Sequence, residues 1–281
     1  MTTYDKRLFA HRPDLADARL RGRVEATHFN EGKPAQFMRP VTGIHREPKT
    51  DAMQISQALL GETCLVFDNK DGWAWVQLDG DSYVGYVPSQ RLNLKISAAT
   101  HRVCVPCSHV YKNADLKSQP AVNVVLNSRL TVTAKQGDFL ALASGGFIFE
   151  SHVSDIGKPQ KDFVAEAEKF LHTPYLWGGK STYGIDCSGL VQVALDACGI
   201  DAPRDSDMQE EGMGTNLPLD KLDNLQRGDL IFWKGHVGIM RDPTTLLHAN
   251  GHHMSTVVEP LKKAITRIAA KGSAITSIKR L

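Results

Sequence analysis

Short runs in which apolar and polar residues alternate, separated by turn residues, fill positions 35–155. Thr63–Phe67, Trp73–Leu78 and Tyr83–Pro88 are joined by Asp68-Asn69-Lys70-Asp71-Gly72 and by Asp79-Gly80-Asp81-Ser82. Asp-Gly between β-rich runs signals a hairpin. A second set follows: Val103–Val105, Ala121–Leu126, Arg129–Ala134, Phe139–Ala143 and Gly146–Phe149, with Gln136-Gly137-Asp138 standing where the first set has Lys70-Asp71-Gly72. The two sets predict two small β-barrels of similar size, residues 35–95 and 96–157. Before them, residues 1–34 are charged and read as an arm packed on the body, with a short helix near Leu15–Arg21. From residue 158 the period changes. Phe163, Val164, Ala167, Phe170 and Leu171 mark a helix face over Asp162–Leu171, with Pro174 just beyond. Leu190, Val191, Ala194, Ala197 and Cys198 mark a second helix, with Gly199 placed to cap it. Strands are expected at Asp229–Trp233, Val237–Met240 and Thr245–Ala249. Helices followed by antiparallel strands give an α+β domain over 158–281.

Composition narrows the class. With 281 residues, 42% hydrophobic and 23% charged, the chain is globular and long enough for two or three compact units. A net charge of +2, from 33 basic and 31 acidic residues, is no nucleic-acid footprint. No apolar run is long enough to span a membrane. No apolar segment follows the charged opening Met1–Arg7, and the five cysteines are an odd number. The expectation is a cytoplasmic protein with reduced thiols and no disulfide framework.

The chemistry concentrates around Cys187. It follows the Gly-rich stretch Trp177-Gly178-Gly179 and opens the second helix. A helix N-terminus favours a thiolate through its dipole and free N–H groups, which can also hold an oxyanion. A nucleophile needs a base. His236, in Lys234-Gly235-His236-Val237, starts an apolar strand forty-nine positions on, and His248 follows twelve later across the Arg241–Thr244 turn. Adjacent antiparallel strands would set the two imidazoles side by side, completing nucleophile, base and orienter. Each residue also has a plain structural role open to it: Cys187 as a small buried hydrophobe, Asp186 as a helix cap, Tyr175 as packing.

The motifs Pro174-Tyr175-Leu176-Trp177-Gly178-Gly179, Gly184–Gln192, Gly228–Trp233 with Gly235–Ile239, and His248-Ala249 resemble those of NlpC-type cell-wall peptidases, in the order expected. The resemblance implies a papain-like α+β domain, with Cys187, His236 and His248 catalytic and no metal or organic cofactor. Residues 35–155 are similar to the paired bacterial SH3-like barrels that precede this domain in a cytoplasmic subgroup. That subgroup cuts after γ-D-glutamate in murein peptides with a free N-terminal L-Ala. It implies an amine pocket from Asp186, Ser188, Ser206 and Tyr83, with Tyr86 close by. Tyr175 would lie near the sulfur. The glutamate that the subgroup takes from the first barrel has no counterpart in Gln54-Ile55-Ser56-Gln57. The implied partners are murein-derived peptides containing L-Ala-γ-D-Glu linked to a diamino acid, with no nucleic acid or membrane. A related thiol amidase or acyltransferase, and a non-catalytic wall-binding protein, are the rival readings. Cys104-Val105-Pro106-Cys107, near His101 and His109, has zinc-like spacing but lacks a second pair. His252 and His253 read as solvated turn residues.

Overall fold

Asp71 and Gly72 both adopt left-handed backbone, with φ of 52° and 82°. That is the requirement of a two-residue hairpin turn whose twist matches its strands. They join Thr63–Lys70 to Trp73–Leu78, with Lys70 paired to Trp73. The computed structural model describes residues 4–220 and 222–281, and its chain divides into two units, 1–156 and 157–281.

In the first unit this hairpin lies within a seven-stranded antiparallel sheet. Its order is Gln54–Leu59, Val41–His45, Val84–Pro88, Trp73–Leu78, Thr63–Lys70, Lys33–Phe37, Leu92–Asn93. The inward positions, among them Phe37, Ile44, Val76, Leu78 and Val87, form one core. A second group of strands follows. Pro120–Val125, Cys107–Tyr111, Phe147–Phe149, Phe139–Leu142 and Val132–Gln136 form one sheet. Arg129–Leu130, His101–Val103 and Val153–Asp155 form another. Val103, Val110, Val124, Leu140 and Ile148 fill the space between them. Gly137-Asp138 makes the two-residue turn between Gln136 and Phe139.

Three expectations are corrected here. Leu15–Arg21 is not a helix: Leu15–Asp17 is a strand pairing in parallel with His28–Asn30, followed by a single 3-10 turn. Asp17 accepts the Arg19 N–H and so tightens the chain into that turn rather than an α-helix. The arm does pack on the first sheet: Arg12 lies over Trp75 at 4.4 Å and pairs with Asp68 at 2.8 Å. The first three residues of the arm lie outside the described residues. Cys107–Tyr111 is a strand the alternation pattern passes over, and Arg129–Ala134 splits between two sheets.

In the second unit a six-stranded antiparallel sheet runs Thr215–Asn216, Ile275–Arg280, Leu230–Trp233, His236–Met240, Thr245–Asn250, Ser255–Pro260. Among the described residues four α-helices accompany it: α1 (Phe163–Glu168), α2 (Cys187–Ala197), α3 (Ser206–Gly212) and α4 (Leu261–Ala269). Asp162 caps α1 by accepting the N–H groups of Val164 and Ala165. The helix stops at Glu168, three residues short of the expected Leu171. α2 packs against α1 and against the central strands His236–Met240 and Thr245–Asn250. Leu190, Val191 and Leu195 on it are fully buried, and each contributes about 1.5–3 kcal/mol by leaving water. Packing rather than propensity therefore holds α2, which contains Gly189 and two β-branched valines. Gly199, at φ 71°, ends it as the pattern predicts.

Candidate active site

The approach to Cys187 needs glycine for lack of space. A Cβ on Gly189 would lie 2.2 Å from the Gly179 carbonyl oxygen, and one on Gly179 would lie 2.3 Å from the Gly184 oxygen. Backbone thus packs on backbone where the loop turns into α2. Asp186 is the N-cap of that helix, accepting the Gly189 N–H at 2.7 Å. Cys187 is the first helical residue and is 7% exposed. Its sulfur accepts the backbone N–H groups of Ser188 and Val237. Val237 directly follows His236, so the packing of α2 on this strand brings together residues far apart in sequence.

His236 Nε2 and His248 Nδ1 are 2.9 Å apart, with ring centroids 5.1 Å apart. The neighbouring strands pair Ile239 with Leu247 and Met240 with Leu246, so the expected side-by-side placement is found. His248 is fully buried, and its Nε2 donates to Glu259 Oε1 at 2.9 Å. Glu259 in turn pairs with Arg267 of α4. Sequence reasoning missed both. The signal for Glu259 is strand alternation: His248 pairs with Val257, so Glu259, two residues further, faces the same side.

The resting charge state differs from the sequence expectation of an acidified thiol. Burial, then the neighbouring Asp186 carboxylate, pushes the Cys187 thiol up to about 12. Burial, then the nearby His248 and Arg267, pushes His236 down to about 3, with Glu259 opposing. Burial also lowers His248. Desolvation therefore outweighs the helix terminus, and the pair rests as thiol and imidazole. Tyr175 is half-buried and close enough to feel Cys187: burial, then the charges of Cys187 and Asp186, raises its hydroxyl, which stays a donor.

These shifts set a stability profile. His236 and Glu259 ionise in the folded chain at about 3 and about 2, below their ordinary 6.5 and 4.5. The unfolded chain binds those protons first, so stability falls as pH drops below 6.5. Cys187 ionises above its ordinary 9.0, so stability falls again as pH rises through 9 toward 12. Thermal melts are expected to show a plateau between pH 6.5 and 9. A melting temperature that climbs on acidification from pH 6.5 to 5 would contradict the neutral, buried imidazole.

Asp186 does more than cap. Arg204, 1% exposed, grips it through Nη1 at 3.0 Å and Nη2 at 2.6 Å, and Gly178 N–H donates to it at 2.7 Å. Arg204 also donates to Ser188 Oγ at 3.0 Å. The carboxylate and the Ser188 hydroxyl are thus engaged internally, and Arg204 neutralises the charge. A carboxylate buried at a helix start needs such a partner, which is the signal pointing to Arg204. Ser206 opens α3, which is tied to α2 by Gln209 donating to the Ser188 carbonyl at 3.0 Å. Tyr83 belongs to the first unit and sits among its core residues, 3% exposed. Tyr86 there accepts from Arg12 at 3.1 Å. Among the described residues no group of three His, Cys, Asp or Glu side chains is placed to hold a metal ion.

Residues 172–270 match the NlpC/P60 family, and residues 44–92 match the bacterial dipeptidyl-peptidase Sh3 domain. A gamma-D-glutamyl-L-lysine dipeptidyl-peptidase of Bacillus cereus is 29% identical over 73% of this chain and 70% of its own length. Dipeptidyl-peptidase 6 of Lysinibacillus sphaericus is 26% identical over 75% of this chain and 85% of its own. The crystal structure of a Bacillus cereus NlpC/P60 family protein superposes with a TM-score of 0.74 at 22% identity, covering 88% of this chain and 99% of that one, and so shares the fold. The chain thus carries an NlpC/P60 peptidase domain behind a bacterial dipeptidyl-peptidase Sh3 domain, and is homologous to the gamma-D-glutamyl-L-lysine dipeptidyl-peptidases.

Proposed function

We propose that the protein is a cysteine peptidase hydrolysing the γ-D-glutamyl–diamino acid bond of murein-derived peptides that begin with a free L-Ala. One observation carries the reading: a helix-terminal sulfur bonded to the Val237 N–H, beside a His236–His248 pair joined at 2.9 Å. The names of the relatives supply the substrate class.

In the reaction the Cys187 thiol proton passes to His236 as sulfur adds to the scissile carbonyl carbon. The carbonyl electron pair moves to oxygen, where the Cys187 N–H at the start of α2 and the protonated Tyr175 hydroxyl stabilise it. Collapse breaks the C–N bond. His236 returns the proton to the leaving diamino-acid amine, and the acyl group remains as a thioester. Water then attacks, giving a proton to His236, and sulfur leaves and takes it back. No other co-reactant is needed.

Asp186, Ser188 and Ser206 are proposed to recognise the free amine. Because Arg204 already balances Asp186, this pocket offers acceptors rather than net charge, and the preference for a free amine is set at about tenfold, 1.4 kcal/mol. The proposal also covers a second SH3-like barrel over 96–157, a papain-like α+β arrangement of 158–281, and a cytoplasmic role in recycling wall peptides.

The test is mass spectrometry of products from L-Ala-γ-D-Glu-L-Lys and its meso-diaminopimelate counterpart, each free and N-acetylated. The expected result is release of L-Ala-γ-D-Glu, about tenfold faster from the free peptides. Equal rates would overturn the amine pocket. Cleavage at another bond, or acyl transfer without hydrolysis, would overturn the substrate assignment.

A further inference from the structure

The relay behind the sulfur does not stop at the second histidine. His236 Nε2 meets His248 Nδ1 at 2.9 Å, His248 Nε2 meets Glu259 Oε1 at 2.9 Å, and Glu259 is clamped by Arg267. Four side chains from three strands and α4 thus stand in series, with His248 fully buried and the Glu259 side chain 12% exposed. We propose that Glu259 is a positioning residue that fixes the tautomers of both histidines, so that His236 presents a bare Nδ1 to Cys187. The inference rests on the catalytic reading above and deepens it.

The logic is one of proton counting. An ionised carboxylate only accepts, so His248 must donate from Nε2. A neutral imidazole carries one N–H, so His248 Nδ1 accepts. His236 must therefore donate from Nε2, and its own Nδ1 is left unprotonated. Nδ1 is the ring nitrogen nearer the main chain, and the sulfur lies on the main-chain N–H of the next residue, Val237. Without an acceptor at Glu259 the whole series could reverse, and His236 would face the sulfur with an N–H that can take no proton.

The charged and titratable neighbours agree with this order. Glu259 is held down to about 2 by the His248 hydrogen bond first and by Arg267, so it is ionised at neutral pH. The groups facing His248 are Glu259, Arg267 and His253, and those facing His236 are His248, Arg267 and Glu259. Burial lowers both imidazoles, so each carries a single proton. Arg267 keeps the carboxylate from taking a proton of its own, and the carboxylate shields the histidines from the guanidinium. When His236 becomes imidazolium during turnover, the same carboxylate, one ring away, stabilises it.

The test is nitrogen-15 NMR of the full chain with labelled histidine, which separates the two neutral tautomers from each other and from the doubly protonated ring. In the wild type at pH 7, His236 and His248 are both expected as the Nε2–H form. In Glu259→Leu, mixed tautomers are expected, with kcat down on the order of 10²-fold and KM unchanged. Glu259→Gln retains an acceptor oxygen and is expected to recover part of that loss. A wild-type spectrum with His236 as Nδ1–H, or with His248 doubly protonated, would overturn the proposal even if neither variant folded. Variants that keep wild-type kcat, or that lose kcat with tautomers unchanged, would overturn it as well. Each of these outcomes is read independently of whether Cys187 is the nucleophile, which the Cys187→Ala variant decides separately.

Discussion

Cys187→Ala is expected to leave no more than about 1 part in 10⁴ of wild-type turnover, the scale of loss when a covalent nucleophile is removed. The substitution removes one sulfur at a site 7% exposed, where the main chain is held by the Asp186 cap and by backbone packing of Gly179 and Gly189. The fold should therefore persist, and circular dichroism should show it. Cys187→Ser should fall almost as far. A buried hydroxyl is a poorer nucleophile than a thiol, and in the proposed mechanism the thiol gives up its proton only to His236. His236→Ala should lose a comparable factor, because the pair acts as a unit and the double variant should be little worse than either single one. Steady-state assays with purified variants check this. Turnover by Cys187→Ala within tenfold of wild type would remove the peptidase mechanism altogether.

Arg204→Met is expected to destabilise the protein by about 3–5 kcal/mol, because it strands a buried carboxylate with no counter-charge. Few substitutions in the catalytic unit should cost more. Arg204 donates to both carboxylate oxygens of Asp186, holds Ser188 Oγ, and approaches the Gly179 carbonyl at 3.5 Å. Its loss therefore loosens the cap, the Gly-rich approach and the first turn of α2 together. Scanning calorimetry should show the unfolding transition lowered by roughly 10–20 °C, given about 4 °C per kcal/mol for a unit of this size. The double variant Asp186→Leu/Arg204→Met should recover much of the loss, since an apolar pair replaces the ion pair without leaving a lone charge. A single variant melting within a few degrees of wild type would show that Asp186 finds another partner.

Much of the catalytic unit was legible because its signals are local. Gly178 and Gly179 before Cys187, the helical repeat after it, and two histidines separated by one turn put Cys187 at a helix start and His236 and His248 on neighbouring strands. The hairpin at Asp71-Gly72 is equally local. What the sequence hid is what depends on distant partners. Arg204 looks like an ordinary surface arginine until a buried carboxylate claims it. Glu259 looks like the polar side of an alternating strand until its register with His248 is known. Cys187 at a helix start suggested acidity, but the degree of burial, which reverses the sign, is a tertiary property. The repeat of Leu261, Ala264, Ile265 and Ile268 is a plain helical pattern, yet it lies beyond the strands from which the domain was read. In the first unit, Leu15–Arg21 lacks a helical stripe wide enough to compete with strand pairing, and the arm's partners, Asp68 and Trp75, lie more than fifty residues away.

The most direct test of the central claim is to replace the scissile amide of L-Ala-γ-D-Glu-L-Lys by a diazomethyl ketone and map the site of alkylation. A nucleophilic sulfur would displace nitrogen and form a thioether. The account predicts one label per chain on the peptide containing Cys187, slowed by the product dipeptide and lost in His236→Ala. Labelling of Cys64, Cys104, Cys107 or Cys198 instead, or continued hydrolysis by fully labelled protein, would contradict it.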